Sequence, residues 1–213
     1  MAAHVWAIVV AGGSGQRFGE LKQFALLAGR PVAQWSVEAC RPAASGVVLV
    51  VPSGSGVGDH SECGADRVVP GGASRSASVR CGLAAVPDEA DVIVVHDAAR
   101  PLATAALFEA VVAAATDHGA AICAMPVSDT IKRVVGGVVI DTLDRDELVA
   151  VQTPQAFDAA LLRRAHASGA EATDDATLVE LLGASVSVVP GDAHNVKITT
   201  PADLRAAEQF LGG

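Results

Sequence analysis

The sequence predicts an α/β protein built as three layers around a mainly parallel sheet, and three observations carry that expectation. Short β-branched runs alternate with Ala-rich stretches of helical pattern along 213 residues, the rhythm of parallel strands joined by helices. The strand candidates read as almost unbroken apolar runs, as strands buried on both faces do. Hydrophobic residues make up 51% of the chain, enough to fill the core of one domain spanning 1–213.

Taken in order, the first strand is expected at 5–10 (VWAIVV), followed by a glycine-rich turn. Pro31 suits a first helical turn and opens a helix at 31–41. Apolar runs at 47–51 and 67–69 continue the strands, and Ser74 stands as a cap before a helix at 74–85. A strand at 92–96 ends in His96, Thr104 precedes a helix at 104–117, and AICAM at 121–125 is the next strand. Helices at 158–167 and 174–182, strands at 185–189 and 196–199, and a Pro201-led helix at 201–211 complete the pattern. The acids of TDDATLVE read first as charges near the positive end of the 174–182 helix.

One segment breaks the rhythm. Residues 129–157 show no amphipathic helix but carry Gly136-Gly137 between two β-rich runs, the signal of a hairpin with a two-residue primed turn. A lone hairpin cannot bury its own apolar face. The arm at 129–153 is therefore expected to lie against its own domain or another subunit.

Composition excludes several classes. The formal net charge is -9, aromatics make up 3% and Tyr is absent, which argues against a large nucleic-acid-binding face. A small anionic ligand would need cations concentrated locally. Cys40, Cys63, Cys81 and Cys123 are widely spaced and are expected as reduced thiols rather than metal ligands. No apolar run approaches the ~18 residues of a membrane span. No basic segment leads into a long apolar stretch at the start, so no signal peptide and a soluble cytoplasmic protein are expected.

The loop AGGSGQRFGELK after the first strand fits neither common nucleotide fingerprint. A G-x-G-x-x-G pattern would need its last glycine one residue before Gly19, and the second strand ends in VVPSGSG with no acid for a ribose. The G-x-x-x-x-G-K-[ST] string is absent. A third reading remains. Gly12, Gly13 and Gly15 let backbone N–H groups approach a triphosphate, while Arg17 and Lys22 supply charge in the same loop. VVHDAARP places Asp97 at the carboxyl end of a buried strand, where α/β sheets put their ligands. Asp97 suits Mg²⁺ and Arg100 a second anion, with an Asp97–Arg100 pair or a helix cap as the plainer reading. His96 has no companions at ligand spacing and is expected to be structural.

Seven blocks, AGGSGQRF with KQF, GGASRSASVRCGL, VVHDAARP, PVSDTIKR, QTPQAF, TDDATLVE and NVKITTPADL, occur together over residues 11–204. In content and order the chain resembles the 2-C-methyl-D-erythritol 4-phosphate cytidylyltransferase family, CTP-dependent enzymes of non-mevalonate isoprenoid synthesis. The resemblance implies a Rossmann-like nucleotidyltransferase domain whose projecting β-arm interlocks a homodimer. It implies that Arg17, Lys22, Lys197 and Arg145 act on the reacting phosphates. Ala11, Gly12, Gly13, Gly15, Gly72, Arg75, Ser78 and Asp97 would hold CTP, with Asp97 on Mg²⁺. Ala98, Arg100, Thr153 and Thr173 would face the sugar phosphate, and Thr130 and Arg145 would reach it from the partner's arm. The chain departs from the family at Leu21, usually Pro, and at Ala73, an acid in some members.

The reaction so implied is in-line attack of an ionised phosphate oxygen on the CTP α-phosphorus, releasing pyrophosphate. Such a nucleophile needs no general base, consistent with the lack of a Ser-His-Asp or paired-carboxylate pattern. The alternatives are a cytidylyltransferase for another polyol phosphate, such as ribitol 5-phosphate, and a nucleotide-binding subunit without turnover.

Overall fold

A computed structural model of the chain describes residues 3–12, 21–54, 60 and 62–212. In chain order the elements are β1 (Val5–Val10), β2 (Leu26–Leu27), β3 (Arg30–Pro31), α1 (Val32–Cys40), β4 (Gly46–Val51), β5 (Arg67–Pro70), α2 (Arg75–Ala85), β6 (Val92–Asp97), α3 (Ala105–His118), β7 (Ala120–Pro126), β8 (Lys132–Val135), β9 (Val138–Thr142), β10 (Val149–Asp158), α4 (Ala159–Ala167), α5 (Asp175–Glu180), β11 (Ser187–Pro190) and α6 (Pro201–Leu211).

Seven strands form one sheet in the order β11-β7-β10-β6-β1-β4-β5. Its neighbours pair in parallel except at β10, which runs antiparallel to both β6 and β7. The two-sided burial expected of the strands holds for β1, β4, β6 and most of β7 but not for the edge strands β5 and β11, which are partly exposed. Val5, Ala7 and Val9 of β1 pack with α1 and α3, while Trp6 and Ile8 pack with α2, α4 and α5 on the other face. Every residue of β4 and β6 is buried. A smaller cluster of Leu27, Val32, Ile198 and Ala207 seats α6 beside β2 and α1. Ser74 accepts from Ala77 N as an N-cap, whereas Thr104 holds the cap position without a side-chain bond. Cys40, Cys63 and Cys123 are buried, Cys81 is half-buried, and all four are free thiols.

The turn at Gly136-Gly137 has positive φ at both residues (58° and 80°), the left-handed backbone that a primed hairpin turn demands. β8 and β9 pair antiparallel around it. They leave Val134, Val135, Val138, Val139 and Ile140 exposed.

Two expectations need correction. Among the described residues, 196–199 join no sheet; apart from the local turn bond Val196 N to His194 O, their main chain is tied by Ile198 N donating to Ala99 O at 2.8 Å. The run is β-branched because Ile198 fills the small cluster, not because it pairs. Conversely, 149–158 is a central strand, so the arm assigned to 129–153 overlaps the sheet from Val149 onward. Pro154, on this strand, cannot donate to a ladder. It sits where the β10–β7 register shifts between Val151 and Gln155, so the missing N–H interrupts nothing. Other boundaries moved by one or two residues, 185–189 becoming Ser187–Pro190 and 174–182 becoming Asp175–Glu180.

The contact between α2 and the sheet generates a prediction. A Cβ at Gly82 would stand 2.5 Å from Ile8 Cγ2 and 3.1 Å from Val50 Cγ2. Gly82→Ala should therefore destabilise the protein by roughly 1–3 kcal/mol of overpacking, outweighing the ~1 kcal/mol that alanine gains in helix propensity. Urea unfolding that shows a raised midpoint would mean the helix can withdraw from the sheet.

Candidate active site

The strand order reverses between β1 and β6, whose carboxyl ends lie side by side with Val10 opposite Asp97. Such a switch point opens a crevice. Here it is a cleft of about 360 Å³ whose lining includes Ala11, Gly12, Lys22, Gly72, Ser74, Arg75, Ser78, Asp97, Ala98 and Lys197. Its floor depends on small residues. A Cβ on Gly12 would meet Ser78 Oγ at 2.8 Å, and one on Gly72 would meet Ala77 Cβ at 2.5 Å. Gly72 N donates to Ser78 Oγ at 3.2 Å, and Ser78 Oγ donates to Ser74 O at 2.8 Å. The 3-10 turn Lys22–Phe24 is tied to the end of β1 by Gln23 Nε2 donating to Ala11 O, 2.6 Å.

Asp97 is the electrostatic centre. Its Oδ2 accepts from Lys197 Nζ at 2.6 Å and its Oδ1 from Arg75 Nε at 3.3 Å. Burial alone would raise its pKa, but the two cations outweigh that and hold the carboxyl well below the ordinary range. Arg75 also donates through Nη1 to Asp175 Oδ2 at 2.7 Å. Asp175 is wholly buried, and its other oxygen faces His166 Nε2 at 2.9 Å. The plainer pairing of Asp97 with Arg100 does not form. Arg100 Nη1 donates instead to Asn195 O at 2.6 Å.

Behind Asp97 lies a neutral relay. Thr153 Oγ1 accepts from Asp97 N at 3.0 Å and lies 3.1 Å from His96 Nδ1. The hydroxyl proton is thus directed to Nδ1, and His96 Nε2–H donates to Arg100 O at 3.2 Å. Burial pushes the His96 pKa down to about 4, Arg100 adding to the effect while Asp97 and the Arg100 carbonyl oppose it. His96 is structural, as expected.

The cleft brings together Ala11, Gly12, Lys22, Gly72, Arg75, Ser78, Asp97, Ala98 and Lys197, with Arg100 and Thr153 one bond behind it. Lys22 Nζ donates to Ile198 O at 2.7 Å. Gly13, Gly15 and Arg17 lie outside the described residues. Thr173 is exposed just before α5, and Thr130 and Arg145 are exposed on the arm; none of these lines the cleft. Arg145 Nη1 donates to Ser128 O at 2.7 Å.

Sequence reasoning missed Asp175 and Asn195. Asp174 is the helix cap that the acid pair suggested, accepting from Thr177 N. Asp175 shares the face of Leu178 and Val179 at i+3 and i+4, both buried. That spacing was a readable sign that this acid points inward.

The family model described as "IspD: 2-C-methyl-D-erythritol 4-phosphate cytidylyltransferase" matches residues 5–213. The chain is 45% identical to a "Bifunctional enzyme IspD/IspF" of Anaeromyxobacter dehalogenans, over 97% of this chain and 57% of that protein. It is 44% identical to a "2-C-methyl-D-erythritol 4-phosphate cytidylyltransferase" of Symbiobacterium thermophilum, over 97% of this chain and 92% of that one. A crystal structure of the 2-C-methyl-D-erythritol 4-phosphate cytidylyltransferase of Thermus thermophilus superposes with a TM-score of 0.84 at 36% identity, covering 100% of both chains. The chain thus spans little more than half the length of the bifunctional relatives and 92% of the single-activity Symbiobacterium protein.

The buried imidazole predicts a pH dependence. An unfolded His titrates near ~6.5 and His96 in the fold near about 4. Between these values the unfolded chain binds the extra proton, so stability present above pH ~6.5 is lost as pH falls through about 4. By pH 5 the loss should reach roughly 2 kcal/mol. His96→Gln, neutral throughout, should lose about that much less between pH 7 and 5 in urea titrations. Equal losses would show that His96 accepts a proton in the folded state.

Proposed function

The chain belongs to the 2-C-methyl-D-erythritol 4-phosphate cytidylyltransferase family, and from that premise we propose that it joins CTP to 2-C-methyl-D-erythritol 4-phosphate. The products are 4-diphosphocytidyl-2-C-methyl-D-erythritol and pyrophosphate. The observation that carries the reading is the glycine-floored cleft at the strand ends, where Arg75 and Lys197 hold one ionised carboxylate and Lys22 lines the same cleft. In a chain of net charge -9, that local excess of cations suits a triphosphate.

A phosphate oxygen of the sugar attacks the α-phosphorus, the bond to the β-phosphate oxygen breaks, and pyrophosphate leaves as an anion. Charge grows on the α-phosphoryl oxygens and the leaving group, and Lys22, Lys197 and Arg17 of the glycine loop are assigned to it. The start of α2 lines the cleft through Ser74 and Arg75, so unpaired N–H groups and the positive helix end add to the same field. Arg100, held below the cleft rim with Thr153, is assigned to the sugar phosphate. Thr173 is assigned to the same substrate.

Asp97 fits Mg²⁺. It is a single ionised carboxylate on a phosphate-binding cleft, and among the described residues no group of three or more His, Cys, Asp or Glu forms a complete protein cage. That donor set matches an ion taking its remaining ligands from phosphates and water. When bound there, Mg²⁺ would neutralise charge between phosphate oxygens.

We also assign the arm to a homodimer, its exposed valines and Ile140 being covered by a second copy and its Thr130 and Arg145 completing the partner's site. No helix among the described residues is long and apolar enough to cross a membrane. The free buried thiols suit the reducing cytoplasm.

Pyrophosphate release from CTP plus the sugar phosphate tests the activity directly; its absence with both substrates present would reject it. Lys22→Ala should lower kcat by roughly 10²–10³, the scale for one preorganised transition-state donor, with CTP binding much less affected. A near-normal kcat would remove Lys22 from the chemistry.

Cross-subunit assembly has its own test. Lys22→Ala and Arg145→Ala dimers should each be nearly inactive. Refolding equal amounts together makes about half the dimers mixed, each with one site carrying both lesions and one carrying none. Activity should return to roughly a quarter of wild type. No recovery, with mixed dimers seen by mass, would confine Arg145 to its own chain.

A further inference from the structure

We infer that Asn195 is a positioning residue for this reaction, its buried carboxamide fixing the path of 195–198 so that Arg100, Lys22 and Lys197 are aimed at the cleft. The inference rests on the cytidylyltransferase reading of the site.

Three cations of the site bond to this short stretch or arise from it. Arg100 Nη1 donates to Asn195 O at 2.6 Å, and Lys22 Nζ to Ile198 O at 2.7 Å. Lys197 itself reaches Asp97 Oδ2 at 2.6 Å. Like charges gathered this way repel, and they stay in place only where fixed acceptors hold them. Yet the stretch has no strand ladder to fix it. Its downstream end is tied by Asp203 Oδ2, which accepts from Thr199 N and Thr200 N at 2.8 Å each. Its middle is tied by Ile198 N to Ala99 O.

The upstream tie is Asn195, whose side chain is wholly buried. Its Nδ2 donates to Thr153 O at 2.9 Å and to Gln152 Oε1 at 3.2 Å. Gln152 also exchanges two bonds with the backbone of Asp192, donating to its carbonyl and accepting from its N–H. Asn195 N closes the turn by donating to Asp192 O at 3.0 Å. A side chain with two hydrogens on one nitrogen is required to bridge two acceptors on β10; aspartate has none and leucine no polarity. The carboxamide thereby docks the Arg100 acceptor onto the strand that carries Thr153, the residue bonded to Asp97 N.

The test is a double-mutant cycle with Arg100. Asn195→Ala should raise KM for the sugar phosphate roughly tenfold and lower kcat, while in an Arg100→Ala background it should add less than about twofold to that KM. A merely structural role would multiply KM by the same factor in both backgrounds, and that result overturns the inference. Should Asn195→Ala not fold by thermal unfolding, Gln152→Ala removes one of the two acceptors and should show the same non-additivity at smaller size. An activity-independent readout accompanies both. In side-chain ¹⁵N spectra, the resonance that Arg100→Ala deletes should show slowed guanidinium rotation in the wild type and lose it in the Asn195 or Gln152 variant. Unchanged rotation overturns the clamp. If the wild type fails to turn over CTP and the sugar phosphate, the cytidylyltransferase reading falls, and the spectra alone decide the clamp.

Discussion

A carboxylate buried at the end of a central strand stays ionised only if the fold brings cations to it. Asp97 imposes that requirement here. Arg75 comes from the start of α2 and Lys197 from the stretch before α6, segments far apart in sequence that meet at one side chain. Arg75 reaches a second anion through Nη1, Asp175, which is itself backed by His166. The chain of ion pairs thus runs from the cleft floor to the far helical layer. Removing Arg75 would leave Asp97 with Lys197 alone and the buried Asp175 with His166 alone.

The apolar layers make this arrangement rigid. β1, β4 and β6 are packed on both faces, so the backbone at Val10 and Asp97 has little room to move. The polar relay through Thr153 and His96 then fixes the direction in which Asp97 and Arg100 leave that backbone. Strand ends supply placement, while the irregular 195–198 stretch supplies acceptors at spacings no ladder provides. That division explains why a cationic site forms in an acidic protein without a basic surface.

Much of this was legible in the sequence because it depends on local pattern. Apolar continuity at 92–96 gives a buried strand, and the acid directly after it must sit at the strand's mouth. Gly136-Gly137 gives the hairpin through backbone sterics alone. What escaped depends on tertiary context. Gln155 and Pro154 make 149–158 look unlike an interior strand, yet Gln155 Nε2 donates to Asp174 Oδ2 at 3.1 Å, and the register shift absorbs the proline. The β-branched run at 196–199 looks like a strand, but Ile198 packs into the small cluster with Leu27, Val32 and Ala207 instead. Asn195 and the pairing of Asp175 with Arg75 were hidden because the residues they join, like Asn195 and Thr153, lie far apart in sequence. The roles of Thr130, Thr173 and Arg145 came from family resemblance, not from any physical signal in the chain.

The antiparallel course of β10 makes β7 and β10 the two legs of a single long hairpin, with Val149 opposite Pro126. Everything between those residues projects past the last rung of the sheet. The projecting tip is therefore modular: a reshaped, shortened or exchanged tip leaves each rung of the sheet, and the cleft beyond it, with its original neighbours. An antiparallel insertion needs no crossover helix to bring the chain back, so variation at the tip is uncoupled from the folding of the domain. The turn at Gly136-Gly137 can therefore vary in length and sequence without reshaping the sheet.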